Sequence, residues 1–197
     1  MWNDYFYQIQ KKYSMRLSTK EPLVIRLDGK NITKNKAVNL IDNYTGSFRY
    51  AMEKTVEYFT TKYNCIAIFG SDEMNFIFTE PMELMEDLDI DKTNHSNEVI
   101  SLFSQYVYDY FNQFDQHKKV FWHAKCFSIP KEKMNSYIKY RSTSIKNVMT
   151  TYFLKIKNEK FKERFFRDDT EAVPCGYNIT RSEATLHSSL FTIHSSL

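Results

Sequence analysis

The residues best suited to chemistry are acidic side chains that follow two apolar segments. Asp28 ends the first segment, and Asp72 with Glu73 follows the second, residues 65–69, after a Gly-Ser pair. If the two segments are neighbouring strands, the carboxylates of Asp28 and Asp72 converge at one end of a sheet. Mg²⁺ prefers such oxygen ligands and is completed by waters and substrate phosphates. The pattern therefore predicts a two-metal site for nucleotidyl transfer, with two unrelated Asp-containing turns as the alternative.

A hairpin and two strands are the elements that would hold these carboxylates. Apolar residues alternate after Asp72, so residues 65–78 are predicted to form a β-hairpin with the acidic pair at its tip. Residues 23–28 are predicted to form a strand that ends at Asp28, and residues 120–129 a further strand.

Two helices are predicted between these strands, because apolar residues recur at helical spacing over residues 46–63 and 96–114. The resulting order is strand, helix, strand, strand, helix, strand. This order predicts an α+β fold of the polymerase-palm type, a ferredoxin-like βαββαβ unit. Its antiparallel sheet is expected to have helices packed on one face.

Four further segments complete the predicted organisation. Residues 80–97 are acidic and polar and are predicted to be a solvated loop. An amphipathic helix is predicted over residues 1–18 and a long helix over residues 131–157. Residues 153–197 are predicted to be a basic, aromatic C-terminal extension.

Composition limits the class of protein. The chain has 197 residues, 42% of them hydrophobic and 16% aromatic, which is ample for a packed core. A net charge of +3 is compatible with a polyanionic partner but is too weak to establish one. Cys65, Cys126 and Cys175 are widely spaced and are expected to be reduced and structural. No run approaches 18 apolar residues, which predicts a cytoplasmic protein with no membrane contact.

Three blocks of the sequence together resemble the tRNA(His) guanylyltransferase family and its relatives. The blocks are VIRLDGKNITK at residues 24–34, GSDEMNFIF at residues 70–78, and WHAKCFSIP at residues 122–130 followed by YIKYR at residues 137–141. The resemblance covers residues 2–152 and fades beyond them, which implies a palm-type nucleotidyltransferase domain over residues 1–152, followed by the extension over residues 153–197. It implies a palm-fold enzyme that adds nucleotides to the 5′ end of tRNA, or of a tRNA-like RNA, in the 3′-to-5′ direction.

The resemblance also implies a mechanism and partners. The 5′-monophosphorylated RNA end would be activated with ATP or GTP, and the 3′-hydroxyl of an incoming NTP would then displace the activating group. Two Mg²⁺ ions would serve the reaction, and the chain would form a homodimer or homotetramer.

Residue roles follow from the same resemblance. The catalytic residues would be Asp28, Asp72 and Glu73, with Glu73 either a metal ligand or an orienting group. The metal ligands would be Asp28, Asp72 and the main-chain carbonyl of Gly29. The residues that would hold phosphates and nucleotide are Gly29, Lys30, Asn31, Ile32, Thr33, Ser71 and Asp72. Further RNA or nucleotide contacts would come from Arg26, Arg141, Lys146 and Asn147.

The sequence departs from the family pattern at two places. Residues 142–146 read Ser-Thr-Ser-Ile-Lys where the family has Gln, Asp, Cys and His, and residues 39–42 read Asn-Leu-Ile-Asp in place of a Lys-Pro-x-Asp element. These differences favour a general 3′-to-5′ repair or editing polymerase over an enzyme dedicated to tRNA(His).

Two alternatives remain open. The GSDE motif also resembles the signature of palm-fold nucleotide cyclases, which release a small cyclic nucleotide. The third hypothesis is a non-catalytic palm that binds RNA or nucleotide.

Overall fold

The computed structural model describes residues 16–30, 32, 47–90, 96–114, 120–156 and 179–180, with only the backbone described from residue 146 onward. The predicted helix over residues 1–18 lies mainly outside these residues, as do Cys175 and the altered element at residues 39–42.

An antiparallel sheet organises the described chain. In chain order the elements are β1 (Leu23–Gly29), α1 (Ser47–Tyr63), β2 (Ile66–Gly70), β3 (Glu73–Phe78), α2 (Pro81–Asp87), α3 (Ser96–Phe111), β4 (Trp122–Ser128), α4 (Met134–Ile156) and β5 (Ile179–Thr180). The strand order across the sheet is β4-β1-β3-β2-β5, and every neighbouring pair is antiparallel. The predicted α+β fold, with its βαββ beginning and returning β4, is confirmed.

Two apolar clusters occupy opposite faces of the sheet, because alternate strand residues point to opposite sides. On one face, Ile25 and Phe76 pack with Phe59 of α1 and Phe103 of α3 in the larger cluster. On the other face, Val24, Ile68 and Ile77 pack with Ile145 of α4. The two helices of the βαββαβ unit therefore share one face, as predicted, and α4 adds a layer on the other.

The β2–β3 hairpin turns in two residues, Ser71 and Asp72, because Gly70 pairs with Glu73 across the ladder. Ser71 has a φ of 54°, and Asp72 is not among the residues with positive φ. Positive φ at the first turn residue alone is typical of a type II′ turn. The two acidic residues predicted at the hairpin tip therefore lie in different elements. Asp72 lies in the turn, whereas Glu73 belongs to β3 and is buried.

The prediction of a solvated loop over residues 80–97 is wrong for residues 81–87, which form a helix, and residues 91–95 lie outside the described residues. The helix α2 begins at Pro81, a residue suited to a first helical turn because its missing N–H needs no partner there. Leu84, Met85 and Leu88 are buried in the larger cluster, so the acidic side chains of this segment flank a short amphipathic helix. The segment's overall charge concealed these three apolar positions.

The C-terminal part of the chain joins the domain in two ways. The helix α4 continues across residue 152, the predicted domain boundary, to Ile156. The short strand β5 then pairs with β2 on the side away from β3, with Thr180 opposite Ala67 and Ile179 opposite Ile68. At least these two residues of the predicted extension therefore belong to the palm sheet.

Candidate active site

Asp28 and Asp72 meet at one end of the sheet, as the sequence predicted. Asp28 pairs in register with Glu73, the residue after Asp72. The N–H of Gly29 donates a hydrogen bond of 2.7 Å to the main-chain oxygen of Asp72, and the N–H of Lys30 donates one of 2.8 Å to the carbonyl of Phe121. The end of β1 is therefore fastened between the β2–β3 turn and the start of β4.

The pKa of Asp72 reflects both its burial and its neighbour Asp28. Burial raises the pKa of Asp72 to about 6, and the nearby negative charge of Asp28 contributes to the same rise. The Ser71 hydroxyl opposes this rise by donating a 3.1 Å hydrogen bond to Asp72 Oδ1. A buried carboxylate whose pKa is raised by a second carboxylate marks a place that a cation would stabilise.

Glu73 lies at the centre of a buried ionic network. Its carboxylate accepts a hydrogen bond of 2.7 Å from Arg26 Nη2 and one of 2.9 Å from Arg141 Nε. Arg141 Nη2 forms a second, very short bond to Glu73 Oε2. Arg26 Nη2 also donates to Asp28 Oδ2 at 2.6 Å. A chain of ion pairs thus runs from α4 through Glu73 and Arg26 to Asp28.

Neutral side chains complete this network. Asn75 Nδ2 donates a 2.6 Å hydrogen bond to Glu73 Oε1 and a longer one, 3.4 Å, to the carbonyl of Ile68. The Tyr137 hydroxyl donates to Asn75 Oδ1 at 2.9 Å. Burial alone would raise the pKa of Glu73, but the hydrogen bonds from Arg141, Asn75 and Arg26 together hold this pKa below its usual range. Glu73 is therefore an ionised carboxylate whose two oxygens are both engaged by protein donors.

The site offers few protein ligands for a metal ion. Among the described residues, no group of three or more His, Cys, Asp or Glu side chains is arranged to hold one. Asp28 and Asp72 remain, and within the described part of the chain Asp72 forms no ion pair. Mg²⁺ commonly takes only one or two carboxylates, with waters and substrate phosphates as its other ligands. The two aspartates fit that requirement.

Gly29 packs closely against its surroundings at this end of the sheet. A Cβ on Gly29 would lie 2.1 Å from Ile32 Cδ1 and 3.3 Å from the main-chain oxygen of Asp72. A side chain here would therefore require the Ile32 side chain, which is buried in the core, to move. Glycine lets the end of β1 lie against both Ile32 and the β2–β3 turn.

The residues predicted to hold phosphates are only partly suited to it. Lys30 is exposed at the site, whereas Ile32 is buried and its side chain belongs to the core. The N–H groups of Gly29 and Lys30 already have main-chain acceptors. Asn31 and Thr33 lie outside the described residues, as do the side chains of Lys146 and Asn147.

The arginines predicted to contact RNA or nucleotide both face Glu73. Arg141 is buried, with 7% of the residue exposed, and Arg26 keeps 23% of its side chain exposed. Asn75 and Tyr137 were not predicted to belong to the site. A buried strand with two polar residues two apart, Glu73 and Asn75, is the sequence signal that could have revealed this polar face.

The edge strand β4 adds exposed polar groups beside these residues. His123 lies opposite Asp28, and Lys125 opposite Arg26. Both are exposed, and the sequence had shown only that they share a face. At the start of β4, Phe121 is 63% exposed and stacks on Tyr108 at 5.9 Å, beside a groove of about 360 Å³.

The described cysteines take no part in this chemistry. Cys65 and Cys126 are buried and unbridged, as predicted. Burial raises the pKa of both thiols, that of Cys126 to about 12, which keeps them protonated and unreactive. Within the described parts of the chain, no helix combines the length and apolar character needed to cross a bilayer.

Solved structures of known proteins share this fold. No protein-family model and no curated protein sequence matches the chain. A bacterial tRNA(His) guanylyltransferase (Thg1)-like protein in complex with GTP matches with a TM-score of 0.61 at 15% identity, over 79% of this chain and 76% of that one. Its counterpart in complex with ATP matches with a TM-score of 0.61 at 14% identity, over 79% and 71% of the two chains.

A third solved structure covers more of both chains. The tRNA(His) guanylyltransferase from Saccharomyces cerevisiae matches with a TM-score of 0.57 at 16% identity, over 91% of this chain and 93% of that one. The resemblance drawn from the three sequence blocks is thereby confirmed at the level of the fold, since identities this low show architecture alone.

Proposed function

We propose that this protein is a metal-dependent nucleotidyltransferase that adds nucleotides to the 5′ end of a tRNA or tRNA-like RNA in the 3′-to-5′ direction. The observation that carries the proposal is the convergence of Asp28 and Asp72 at one end of a palm sheet. Two further facts support it: structures with the same fold are tRNA(His) guanylyltransferases or similar proteins, and two of them are complexes with GTP or ATP.

Asp28 and Asp72 would hold Mg²⁺, with the main-chain carbonyl of Gly29 as a third oxygen ligand. When bound, Mg²⁺ supplies the positive charge that stabilises an attacking oxygen and a departing pyrophosphate. The protein's own contribution is to present two carboxylates side by side, Asp28 at the end of β1 and Asp72 in the β2–β3 turn. Glu73 is held by two arginines and an amide, so we assign it an orienting role and not a place among the ligands.

Substrate binding would use the exposed groups around the aspartates. The ammonium group of Lys30 would pair with a nucleotide triphosphate, because it is exposed directly after the metal ligands. Lys125 and His123 on the neighbouring strand face the same side of the sheet as Asp28 and would approach the RNA backbone. The exposed ring of Phe121 offers a surface on which a base could stack.

The proposed reaction has two nucleotidyl-transfer steps. First, an oxygen of the RNA 5′-monophosphate attacks the α-phosphorus of ATP or GTP, and pyrophosphate leaves. Second, the 3′-hydroxyl oxygen of an incoming NTP attacks the phosphorus of the activated 5′-phosphate, and the nucleoside monophosphate leaves as the hydroxyl proton is lost. The chain gains one nucleotide at its 5′ end and carries a new triphosphate there.

The test is an extension assay with a 5′-monophosphorylated tRNA that lacks its first nucleotide. The purified protein is incubated with Mg²⁺ and α-³²P-labelled NTPs, and the RNA is resolved on a sequencing gel. Asp28→Asn and Asp72→Asn are the inactive controls, since each removes a charge with little change in volume. Lys133→Met, an exposed substitution outside the site, is the matched active control.

RNA that is longer at its 5′ end with wild type and Lys133→Met, but not with either aspartate variant, would support the proposal. A labelled cyclic nucleotide formed without RNA would replace it with the cyclase hypothesis. Binding of RNA or NTP with neither product would favour the non-catalytic palm.

A further inference from the structure

The ionic network links the metal site to an element outside the βαββαβ unit. Arg141 lies in α4, and its partner Glu73 lies 68 residues earlier, at the start of β3. Glu73 also binds Arg26 of β1, 47 residues earlier still. Each link is a charge-assisted hydrogen bond, the strong class of such bonds.

Arg26 depends on Glu73 for its position. A single nitrogen, Nη2, makes both of its ion pairs, to Asp28 Oδ2 at 2.6 Å and to Glu73 Oε2 at 2.7 Å. Its Nε is buried without a hydrogen-bond partner in the part of the chain that the structure describes. Lys125, which lies opposite Arg26 on β4, is also a cation and cannot form an ion pair with the guanidinium. Without Glu73, Asp28 would be the only ion-pair partner of the guanidinium among the described residues, and the second contact that fixes its orientation would be lost.

Glu73 in turn depends on α4. The Glu73 side chain is only 9% exposed, and Arg141 contacts both oxygens of its carboxylate. Tyr137, one helical turn before Arg141, reaches the same carboxylate through Asn75. If α4 were displaced, the arginine left to pair with Glu73 would be Arg26, which also pairs with Asp28.

We propose that Arg26, Glu73 and Arg141 are positioning residues that orient the Asp28 carboxylate for metal binding, so that docking of α4 and binding of metal favour each other. The inference rests on the proposed function in taking Asp28 as a metal ligand. Groups that hold a metal-ligating side chain by hydrogen bonds affect metal affinity strongly. Coupling of this kind is reciprocal, because each of two linked equilibria shifts the other by the same factor.

The first measurement is Mn²⁺ binding, followed by the electron paramagnetic resonance signal of the free ion, with the full chain. Mn²⁺ takes the same oxygen ligands as Mg²⁺. Variants are Arg141→Met, which keeps the length of the aliphatic chain, and Arg141→Lys, which keeps the charge but loses the two-point contact. Lys133→Met is the matched control, in which a cation is also replaced by methionine. Asp72→Asn tests whether Mn²⁺ binds at the proposed site.

We expect Arg141→Met to weaken Mn²⁺ binding by about tenfold to 100-fold and Arg141→Lys by less, with Lys133→Met unchanged. If Arg141 had only a structural role, Arg141→Met would lower the melting temperature without changing the affinity of the folded protein for Mn²⁺. Binding is therefore measured at a temperature where circular dichroism shows each variant to be folded. Should Arg141→Met fail to fold, Arg141→Lys carries the comparison.

The second measurement tests reciprocity by hydrogen exchange of α4 peptides with and without Mg²⁺. Slower exchange with Mg²⁺ in the wild type, abolished in Arg141→Met, would support the coupling. Either of two results would overturn this inference alone. One is a folded Arg141→Met protein that binds Mn²⁺ with wild-type affinity, and the other is hydrogen exchange in wild-type α4 that does not change with Mg²⁺. Wild-type Mn²⁺ binding that Asp72→Asn does not weaken would overturn the metal site and the proposed function with it.

Discussion

Replacing Glu73 by Gln tests whether the buried carboxylate holds the two arginines by its charge. Gln has nearly the same shape, but it presents one acceptor oxygen and no negative charge. Arg141 would then be a buried guanidinium, 8% exposed in its side chain, with its ion-pair partner removed. Arg26 would keep Asp28 as a partner and would suffer less.

The expected loss in free energy of unfolding follows from this difference between Arg141 and Arg26. Removing one partner of a buried ion pair typically costs about 3–5 kcal/mol, because the other charge remains buried and unpaired. Since one of the two arginines keeps a partner, we expect the lower end, about 3 kcal/mol. At this chain length that corresponds to a fall of roughly 6–12 °C in melting temperature.

The assay is urea unfolding followed by circular dichroism, arranged as a double-mutant cycle. Glu73→Gln combined with Arg141→Met removes both buried charges, so the double variant should lose less stability than the sum of the single losses, by about 2 kcal/mol. Glu57→Gln is the matched control: its carboxylate pairs with Lys54 at 2.8 Å but is 67% exposed. An exposed pair of this kind contributes little to stability, because water solvates both charges.

Two results would refute the reasoning. A Glu73→Gln loss as small as that of Glu57→Gln would mean that the carboxylate's charge is not needed in the core. Strictly additive losses in the cycle would mean that Glu73 and Arg141 do not stabilise each other.

Three further predictions concern other parts of the molecule. Gly29→Ala should lower stability by about 1–3 kcal/mol in urea unfolding, because the new Cβ would overlap Ile32; an unchanged midpoint would contradict the packing. Hydrogen bonds, first from the Tyr63 hydroxyl at 2.6 Å and then from Lys62, hold the pKa of Asp87 below its usual range. Asp87→Asn should therefore cost up to about 1 kcal/mol at pH 7. That difference should disappear as the pH falls through the folded-state pKa, below the unfolded value of about 3.9, and unfolding curves at pH 7 and pH 3 measure it. Mg²⁺ at ten times its dissociation constant should stabilise the wild type by about 1.4 kcal/mol and Asp72→Asn by much less; equal shifts in melting temperature would place the ion elsewhere.

Much of the fold could be predicted from local sequence. Alternation at Met74, Phe76 and Phe78 identified the hairpin to within one residue of β2, because alternate strand residues share one face, here the face that packs in the larger cluster. The stripe Val99, Phe103, Val107 and Phe111 identified α3, and all four residues are buried. The short helix α2 was missed because its single turn of apolar residues lies among acidic ones, and periodicity needs several turns to be visible.

The candidate site was predictable only in part. Asp28 and Asp72 were identified because each follows an apolar strand, and the antiparallel pairing of β1 with β3 then places both at the same end. The role of Glu73 could not be read in the same way. Asp72, the preceding residue, lies in a turn. Glu73 is the first residue of β3, and its position in the strand directs its side chain toward α4.

The sequence by itself determined the β2–β3 hairpin, the helical stripes and the two acidic residues at the end of β1 and in the hairpin turn, since each depends on residues close together in the chain. Only the tertiary structure decided which charges meet. Arg26, Glu73 and Arg141 come from β1, β3 and α4, and their hydrogen bonds span 47 and 68 residues. Such bonds form because packing on both faces of the sheet brings distant residues within 3 Å and excludes the water that would otherwise solvate them.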